Sequence, residues 1–199
     1  MSKESDFCIP TRGTKVPAGL DCLHEIKYDG YRVRLERDGN RVRLISRNGY
    51  DWTSRYPWIV EAALKTRRSS SLTVKRSFSA ATPSPISTPC IRESTIARCG
   101  SMPFDIMAPE GADLRALPLS MRKTNLARLL ARRPDGIFVA PFEQGEIGTD
   151  LFRAACNMGL EGLESKRRDR PYRAGRSPDW IKVKNRKHPA IDMLIKAFA

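Results

Sequence analysis

The chain has 199 residues, of which 40% are apolar and 36 are Lys or Arg against 22 Asp or Glu, for a formal net charge of +14. This length suits one large domain or two small ones, and the apolar fraction suffices for an ordinary core, so a long multidomain protein and wholesale disorder are both excluded. The positive charge favours a polyanionic partner, nucleic acid before a membrane surface.

Alternating apolar and polar residues predict strands in the first third of the chain. One strand lies within CLHEIKYDG at 22–30, and two more flank the turn at 38–40, where Asp-Gly-Asn predicts a β-hairpin. Helical spacing then predicts a helix over 56–65, with Thr53 or Ser54 as its N-cap.

The second half of the chain alternates helices and strands. Its spacing predicts, in order, a basic amphipathic helix over 120–133, a strand over 136–142, a helix over 149–158, and strands over 160–166 and 180–184. Thr149 is the expected N-cap of the second of these helices, and Gly159 its C-terminal stop. The predicted class is α+β with mostly antiparallel pairing.

The segment KYDGYR, from Lys27 to Arg32, carries the sharpest chemical signal. A lysine on a strand beside a tight turn, with Glu25 on the same face and Arg32 just beyond, places an amine and a guanidinium around one bound phosphate. A neutral lysine amine is a nucleophile, so the arrangement fits attack on phosphorus. Taken alone the motif is short, and a solvent-exposed lysine at a hairpin edge is the alternative. The accompanying motifs are, in chain order, SRNG at 46–49, FD at 104–105, EGLESK at 161–166 and WIKVK at 180–184.

This ordered set resembles the nucleotidyltransferase motifs of ATP-dependent DNA ligases, and most closely the ligase module of bacterial end-joining systems and its short stand-alone relatives. The resemblance covers 17–65 and 104–189. It implies an α+β nucleotidyltransferase fold with antiparallel sheets flanked by helices. It also implies an adenylation domain at 17–189, an N-terminal extension at 1–16 and a C-terminal tail at 190–199, with the OB-fold domain that usually follows absent.

The resemblance also implies a reaction and its residues. Lys27 would attack the α-phosphate of ATP, release pyrophosphate and hold AMP, which passes to the 5′-phosphate of a DNA nick before the nick is sealed. The other implied roles are Glu25 beside the adenine, Phe104 stacked on it, Arg32 and Arg47 at ribose and phosphate, Lys182 and Lys184 at the α-phosphate, and Glu161 at a divalent metal. The implied cofactors are ATP and Mg²⁺ or Mn²⁺.

A basic loop between the last two predicted strands is the candidate DNA contact. Its five arginines are Arg167, Arg168, Arg170, Arg173 and Arg176. The expected partners are nicked double-stranded DNA and end-joining proteins, in DNA repair and recombination. No apolar run approaches the ~20 residues that span a bilayer and the polar opening lacks a signal peptide, so a bacterial cytoplasmic location, nucleoid-associated at most, is expected.

Two sequence features depart from the family pattern within the domain. Glu164 stands where the family has an apolar residue, so a buried carboxylate is expected to lack a partner unless Lys166 pairs with it. Where the family has an Asp-Gly-Glu strand whose Glu binds metal, this chain has an unpatterned segment at 69–103, in which 17 of 35 residues are Ser, Thr or Pro. Such a long structureless stretch is unusual inside a small domain.

The genetic code offers an explanation of the unpatterned segment. Codons chosen for 71–77 and read in another phase spell Ile-Asp-Gly-Glu-Ala-Val. We therefore hypothesise a single-nucleotide slip near 66–70 and a compensating one near Pro103, with a genuine flexible insert as the alternative. On the slip hypothesis, the metal-binding Glu and at least two central strands are missing.

Two further functions stay open at the level of sequence. An RNA ligase or capping-type nucleotidyltransferase uses the same lysine chemistry. A crippled, non-catalytic DNA-binding remnant of a ligase is compatible with the lost Glu and with the charge. The nucleotide that labels Lys27 separates the first from a DNA ligase, and a sealing assay separates the second.

Overall fold

A computed structural model describes residues 7–28, 30–66, 70–76, 101–132 and 137–188. They form two β-sheets and the helices packed on them. The strands are β1 (Cys8–Arg12), β2 (Cys22–Lys27), β3 (Arg32–Asp38), β4 (Arg41–Ser46), β5 (Ser70–Arg76), β6 (Ser101–Pro109), β7 (Glu143–Gln144), β8 (Gly162–Arg167) and β9 (Gly175–Lys184), and the helices are α1 (Pro57–Leu64), α2 (Leu119–Leu129) and α3 (Gly148–Asn157). Sheet A has the order β1-β9-β8-β2-β7, and sheet B the order β4-β3-β5-β6.

The predicted hairpin is confirmed as β3 and β4. The strands pair antiparallel up to Asp38 and Arg41, and Gly39 takes a φ of +54° in the turn between them, a conformation that glycine adopts without steric cost. Apart from β1, which runs parallel to β9, the named strands pair antiparallel. The α+β class with mostly antiparallel pairing is therefore confirmed.

Strand β5 shows that part of the segment 69–103, which the sequence left without a regular pattern, forms a strand. It pairs antiparallel with β3 on one side and with β6 on the other. Residues 101–103, assigned to the same segment, begin β6. A signal for β5 was present, since Leu72 and Val74 alternate with polar residues. Residues 77–100, with the rest of the reading-frame hypothesis, lie outside the described residues.

The N-terminal segment also differs from expectation, because residues 8–12 form a strand of sheet A. Strand β1 pairs parallel with β9, with Cys8 opposite Gly175. Residues 8–12 of the predicted N-terminal extension are therefore part of the sheet. The short sequence CIPTR contains a proline and does not alternate, so its strand depends on pairing with a segment more than 160 residues away.

Helices α1 and α3 lie where they were predicted, but both predicted N-caps are wrong. Thr53 and Ser54 belong to a short 3₁₀ helix (Thr53–Arg55), and Tyr56 precedes α1. Helix α3 starts at Gly148, so Thr149 lies inside it. A Cβ at residue 148 would lie 2.5 Å from the His24 ring, so the close approach of helix and ring requires glycine at this start. Gly159, with a φ of +70°, follows the end of α3 as predicted.

The predicted strand over 136–142 is wrong. Ile137 makes only an isolated bridge to Ser101, and the Phe138 and Ala140 amides donate to carbonyl groups of β6. The chain then forms the two-residue β7 at Glu143–Gln144 on the edge of sheet A. The apolar composition of 136–142 therefore reflects packing beside β6 rather than a regular strand.

Two apolar clusters fill the interior. The larger one joins β3 and β4 to α1 and α2, and the smaller one contains Phe104 and Trp180. Helix α2 adds a buried ion pair, because the Arg122 guanidinium donates to both oxygens of the Asp105 carboxylate, at 2.8 and 3.0 Å. Both side chains are fully buried. Among the described helices, none has the length and apolarity needed to cross a bilayer.

Replacing Asp105 by Ala should leave the Arg122 guanidinium buried without its carboxylate, so we expect the free energy of unfolding to fall by about 3–5 kcal/mol. Urea denaturation measures this change. The matched control, Asp113→Ala, removes an exposed carboxylate paired with Arg115 and should move the urea midpoint little. An Asp105→Leu/Arg122→Met double variant should recover much of the loss. A single Asp105→Ala variant as stable as the control would contradict this account.

Candidate functional site

Sheet A brings the predicted charged residues to one face. Lys27 lies opposite Gly162, which lies opposite Lys184. Two residues away from Lys27 along β2, Glu25 lies opposite Glu164, and Glu164 lies opposite Lys182. Because directly paired residues on neighbouring strands share a face, strands β2, β8 and β9 present lysines and carboxylates side by side.

Lys27 contacts a carboxylate at the end of this face. Its Nζ forms an ion pair with Glu161, and Lys184 Nζ lies 3.3 Å from the other oxygen of the same carboxylate. Glu161 lies one residue before β8, not inside the strand as predicted. A Cβ at residue 162 would lie 2.1 Å from the Val183 carbonyl oxygen, so the glycine permits the close strand approach that places Glu161 between the two lysines.

Lys182 is the third lysine of the face. Burial lowers the pKa of the Lys182 ammonium, and the neighbouring Lys27 charge lowers it further, while Glu164 opposes both effects. Lys182 therefore adds positive charge to the face beside Lys27, where it would stabilise the negative charge of a bound phosphate.

Glu25 is buried between two lysines. Its carboxylate pairs with Lys123 of α2 through one oxygen and with Lys166 of β8 through the other. Burial alone would raise the pKa of the Glu25 carboxyl, but the charges of Lys123 and Lys166 outweigh it and hold the pKa below its usual range. Lys123 was not predicted as a site residue. Its signal was available, because Arg122 and Lys123 lie three and four residues after Leu119, on the buried stripe of the helix.

Glu164 pairs with two cations, Lys166, which the sequence analysis named as its partner, and Arg32, which it did not. Its carboxylate lies 3.7 Å from Lys166 Nζ, and Arg32 Nη2 donates to both of its oxygens at 3.2 Å. The buried carboxylate is therefore paired. Arg32 belongs to β3 of sheet B and also donates to the Cys8 carbonyl oxygen of β1 at 2.7 Å, so this guanidinium joins the two sheets.

Phe104 lies in the interior, beneath these charges. It is 3% exposed and packs edge-on against Trp180, with ring centroids 6.2 Å apart. The Arg32 guanidinium lies 5.0 Å from its centroid and Lys166 Nζ lies 4.4 Å from it. The ring does not line the cavity described next, and its predicted stacking on a base stays a prediction.

A cavity of about 850 Å³ opens above this face. Its charged lining residues are Lys27, Arg32, Arg47, Asp51, Arg55, Glu164 and Lys182. Four predicted site residues, Lys27, Arg32, Arg47 and Lys182, therefore meet at one cavity. Glu161 lies beside it through its contact with Lys27, and Lys184 through its contact with Glu161. Glu25 lies beneath it. The lining aromatic residues Tyr31, Tyr50 and Trp52 were not predicted as site residues, although Tyr31 lies within the KYDGYR motif and the other two follow SRNG.

The predicted basic loop is shorter than expected, because Arg167 ends β8 and Arg176 lies in β9. The five arginines also differ in their ion pairs. Arg167 pairs with Asp169 and Asp21, and Arg170 pairs with Asp169 and Asp179. Within the part of the chain that the structure describes, no ion pair involves the remaining three, which are Arg168, Arg173 and Arg176.

Comparisons with known proteins identify the family of this chain. A family model described as ATP dependent DNA ligase domain matches residues 15–75 and 83–184. The multifunctional non-homologous end joining protein LigD of Pseudomonas aeruginosa is 34% identical in an alignment over 178 residues that covers 84% of this chain and 20% of that protein. A probable DNA ligase of Dictyoglomus turgidum is 31% identical in an alignment over 181 residues that covers 82% of this chain and 31% of the relative. The chain thus spans less than a third of either relative.

Solved structures agree as well. The ligase domain of M. tuberculosis LigD superposes with a TM-score of 0.75 at 27% identity, covering 89% of this chain and 58% of that one. A mycobacterial DNA ligase D complexed with ATP and MES superposes with a TM-score of 0.70 at 26% identity, covering 89% of this chain and 59% of that one. The nucleotidyltransferase fold inferred from the motifs is confirmed. The lysine cavity, the family model and these relatives together show that the chain belongs to the ATP-dependent DNA ligase domain family.

Proposed function

We propose that this chain carries out the adenylation chemistry of an ATP-dependent DNA ligase, with Lys27 as the nucleophile. The observation that carries the proposal is the position of Lys27 Nζ at a cavity of about 850 Å³, in contact with Glu161 and beside Lys182. A cavity of this size accommodates a nucleotide. Family membership supports ATP as the substrate.

The proposed step transfers AMP to the lysine. After losing one proton, the Lys27 amine attacks the α-phosphorus, a nitrogen–phosphorus bond forms, and the bond to the β-phosphate oxygen breaks to release pyrophosphate. Lys182 and Lys184 stabilise the negative charge that develops on the phosphate oxygens. AMP then passes to a DNA 5′-phosphate, and attack by the 3′-hydroxyl seals the nick with release of AMP.

A divalent metal fits this site through one protein carboxylate. Mg²⁺ at nucleotide sites is bound by one or two carboxylates together with phosphate oxygens and water, and Glu161 presents such a carboxylate next to Lys27. Among the described residues, no three His, Cys, Asp or Glu side chains form a metal-binding group. Glu161 would therefore hold Mg²⁺ or Mn²⁺ together with the substrate phosphates. When bound, the metal neutralises phosphate charge.

Nicked double-stranded DNA is the proposed second substrate. The formal charge of +14 supports a polyanionic partner. Arg168 follows β8, Arg176 lies in β9 and Arg173 lies between these two strands. These three arginines form no ion pair with described residues, so they are the proposed phosphate contacts. The name of the Pseudomonas relative supports a role in DNA end joining, with end-joining proteins as partners in the bacterial cytoplasm.

Incubation with Mg²⁺ or Mn²⁺ and ATP labelled on its α-phosphate should transfer label to the chain, and Lys27→Ala should abolish the transfer because the nucleophile is gone. Label on the γ-phosphate should not transfer, since it leaves with pyrophosphate. Denaturing gel electrophoresis measures covalent label. Lys65→Ala, which removes an exposed lysine of the same type, should label like the parent chain.

Three results of this labelling experiment would count against the proposal. Label that persists in Lys27→Ala would assign the nucleophile elsewhere. Transfer from GTP in preference to ATP would favour a capping-type enzyme. A folded parent chain that takes no label would favour the non-catalytic remnant.

Changing Arg168, Arg173 and Arg176 together to Ala should weaken binding to nicked duplex and reduce the slope of log affinity against log salt by roughly 0.9 per lost phosphate contact. Fluorescence anisotropy between ~50 and ~200 mM salt measures both quantities. The charge-matched control changes the exposed Arg41, Arg128 and Arg132 to Ala. Equal salt slopes for the two triple variants would exclude this loop as the main phosphate contact. Lysyl-AMP formation should not change in either variant.

A further inference from the structure

Glu164 places a negative charge inside a cavity whose charged lining residues are mostly cations. These cations are Lys27, Arg32, Arg47, Arg55 and Lys182. Among the described residues, the acids that line the cavity are Glu164 and the half-exposed Asp51. The Glu164 side chain is 10% exposed, so water screens its charge less than the charge of a surface carboxylate.

Among the cavity cations, Arg32 is the one whose hydrogen-bond donors Glu164 engages. Nη2 of Arg32 contacts both carboxylate oxygens of Glu164 at 3.2 Å. The guanidinium is also held independently of Glu164, because Nη1 donates to the Cys8 carbonyl oxygen and the group lies over the Phe104 ring. Loss of the Glu164 charge should therefore leave Arg32 in place at the cavity.

A phosphate that binds Arg32 must compete with this carboxylate. Arg32 lines the cavity, and its Nη2 group donates to Glu164. A phosphate accepts the same paired hydrogen bonds from arginine as a carboxylate does, so both compete for this group. Glu164 also repels an entering polyanion directly. Lys166 does not depend on Glu164 for charge balance, since it also pairs with Glu25.

We propose that Glu164 is an internal counter-anion that occupies Arg32 until a phosphate displaces it, and that it thereby weakens polyphosphate binding in this cavity. The inference rests on the proposed function only in identifying the polyphosphate as that of ATP. It predicts that the loss of ligand affinity caused by Glu164 grows with the number of phosphates on the ligand and vanishes for adenosine. The same competition favours departure of pyrophosphate after transfer.

Glu164→Gln tests the proposal, because glutamine keeps the shape and one acceptor of the side chain but removes its charge. Isothermal titration calorimetry with tripolyphosphate, ATP, AMP and adenosine measures binding. We expect tripolyphosphate and ATP to bind about tenfold more tightly to Glu164→Gln, AMP to gain less and adenosine to be unchanged. The control Glu61→Gln makes the same charge change on an exposed α1 residue and should leave all four affinities unchanged.

A second variant, Glu164→Val, places an apolar residue at this position and should show the same gain for tripolyphosphate. Thermal melting identifies which variants are folded, and either folded variant suffices for the test. Unchanged or weaker tripolyphosphate and ATP binding in a folded variant would overturn the counter-anion role. Tighter tripolyphosphate binding without any ATP binding would uphold that role and contradict the proposed function instead.

Discussion

Two carboxylates lie directly opposite each other on neighbouring strands, and much of the structure follows from their neutralisation. Glu25 and Glu164 are paired in register on β2 and β8, where like charges destabilise a sheet unless cations compensate them. The compensating cations come from three elements, with Lys123 on α2, Lys166 on β8 and Arg32 on β3. Sheet A, sheet B and helix α2 therefore meet at one buried charge cluster, whose geometry depends on all of them.

This charge cluster helps to hold the reactive face in place, although only part of the cluster lines the cavity. Lys166 lies over the Phe104 and Trp180 rings, at 4.4 Å from each centroid, so the buried ammonium interacts favourably with aromatic faces as well as carboxylates. Two residue pairs further along the same strands, Lys27 and Gly162 place the proposed nucleophile at the cavity. Removing one partner of a buried pair leaves an uncompensated charge. Displacement of Glu25, Lys123 or Lys166 is therefore unfavourable, and the lysine face is held in a defined geometry.

Local signals in the sequence predicted much of this architecture. The turn at 38–40 predicted its hairpin because glycine supplies the left-handed conformation locally, and the motifs predicted that Lys27, Arg32 and Lys182 meet. The features that the sequence analysis missed depend on contacts between residues far apart in the sequence. Strand β1 exists through pairing with β9, and Lys123 meets Glu25 across 98 residues of sequence. The stacking of Phe104 on a base, which came from the motif resemblance, stays a prediction, and the resemblance carried no information about the Trp180 ring beside Phe104.

The most direct test of the central claim is a crystal structure of the chain after incubation with ATP and Mg²⁺. The account predicts continuous electron density from Lys27 Nζ to the phosphorus of AMP, with Lys182 and Lys184 beside the phosphate and Glu161 no longer paired with a charged Lys27. Nucleotide bound away from this cavity, or joined to another lysine, would contradict it.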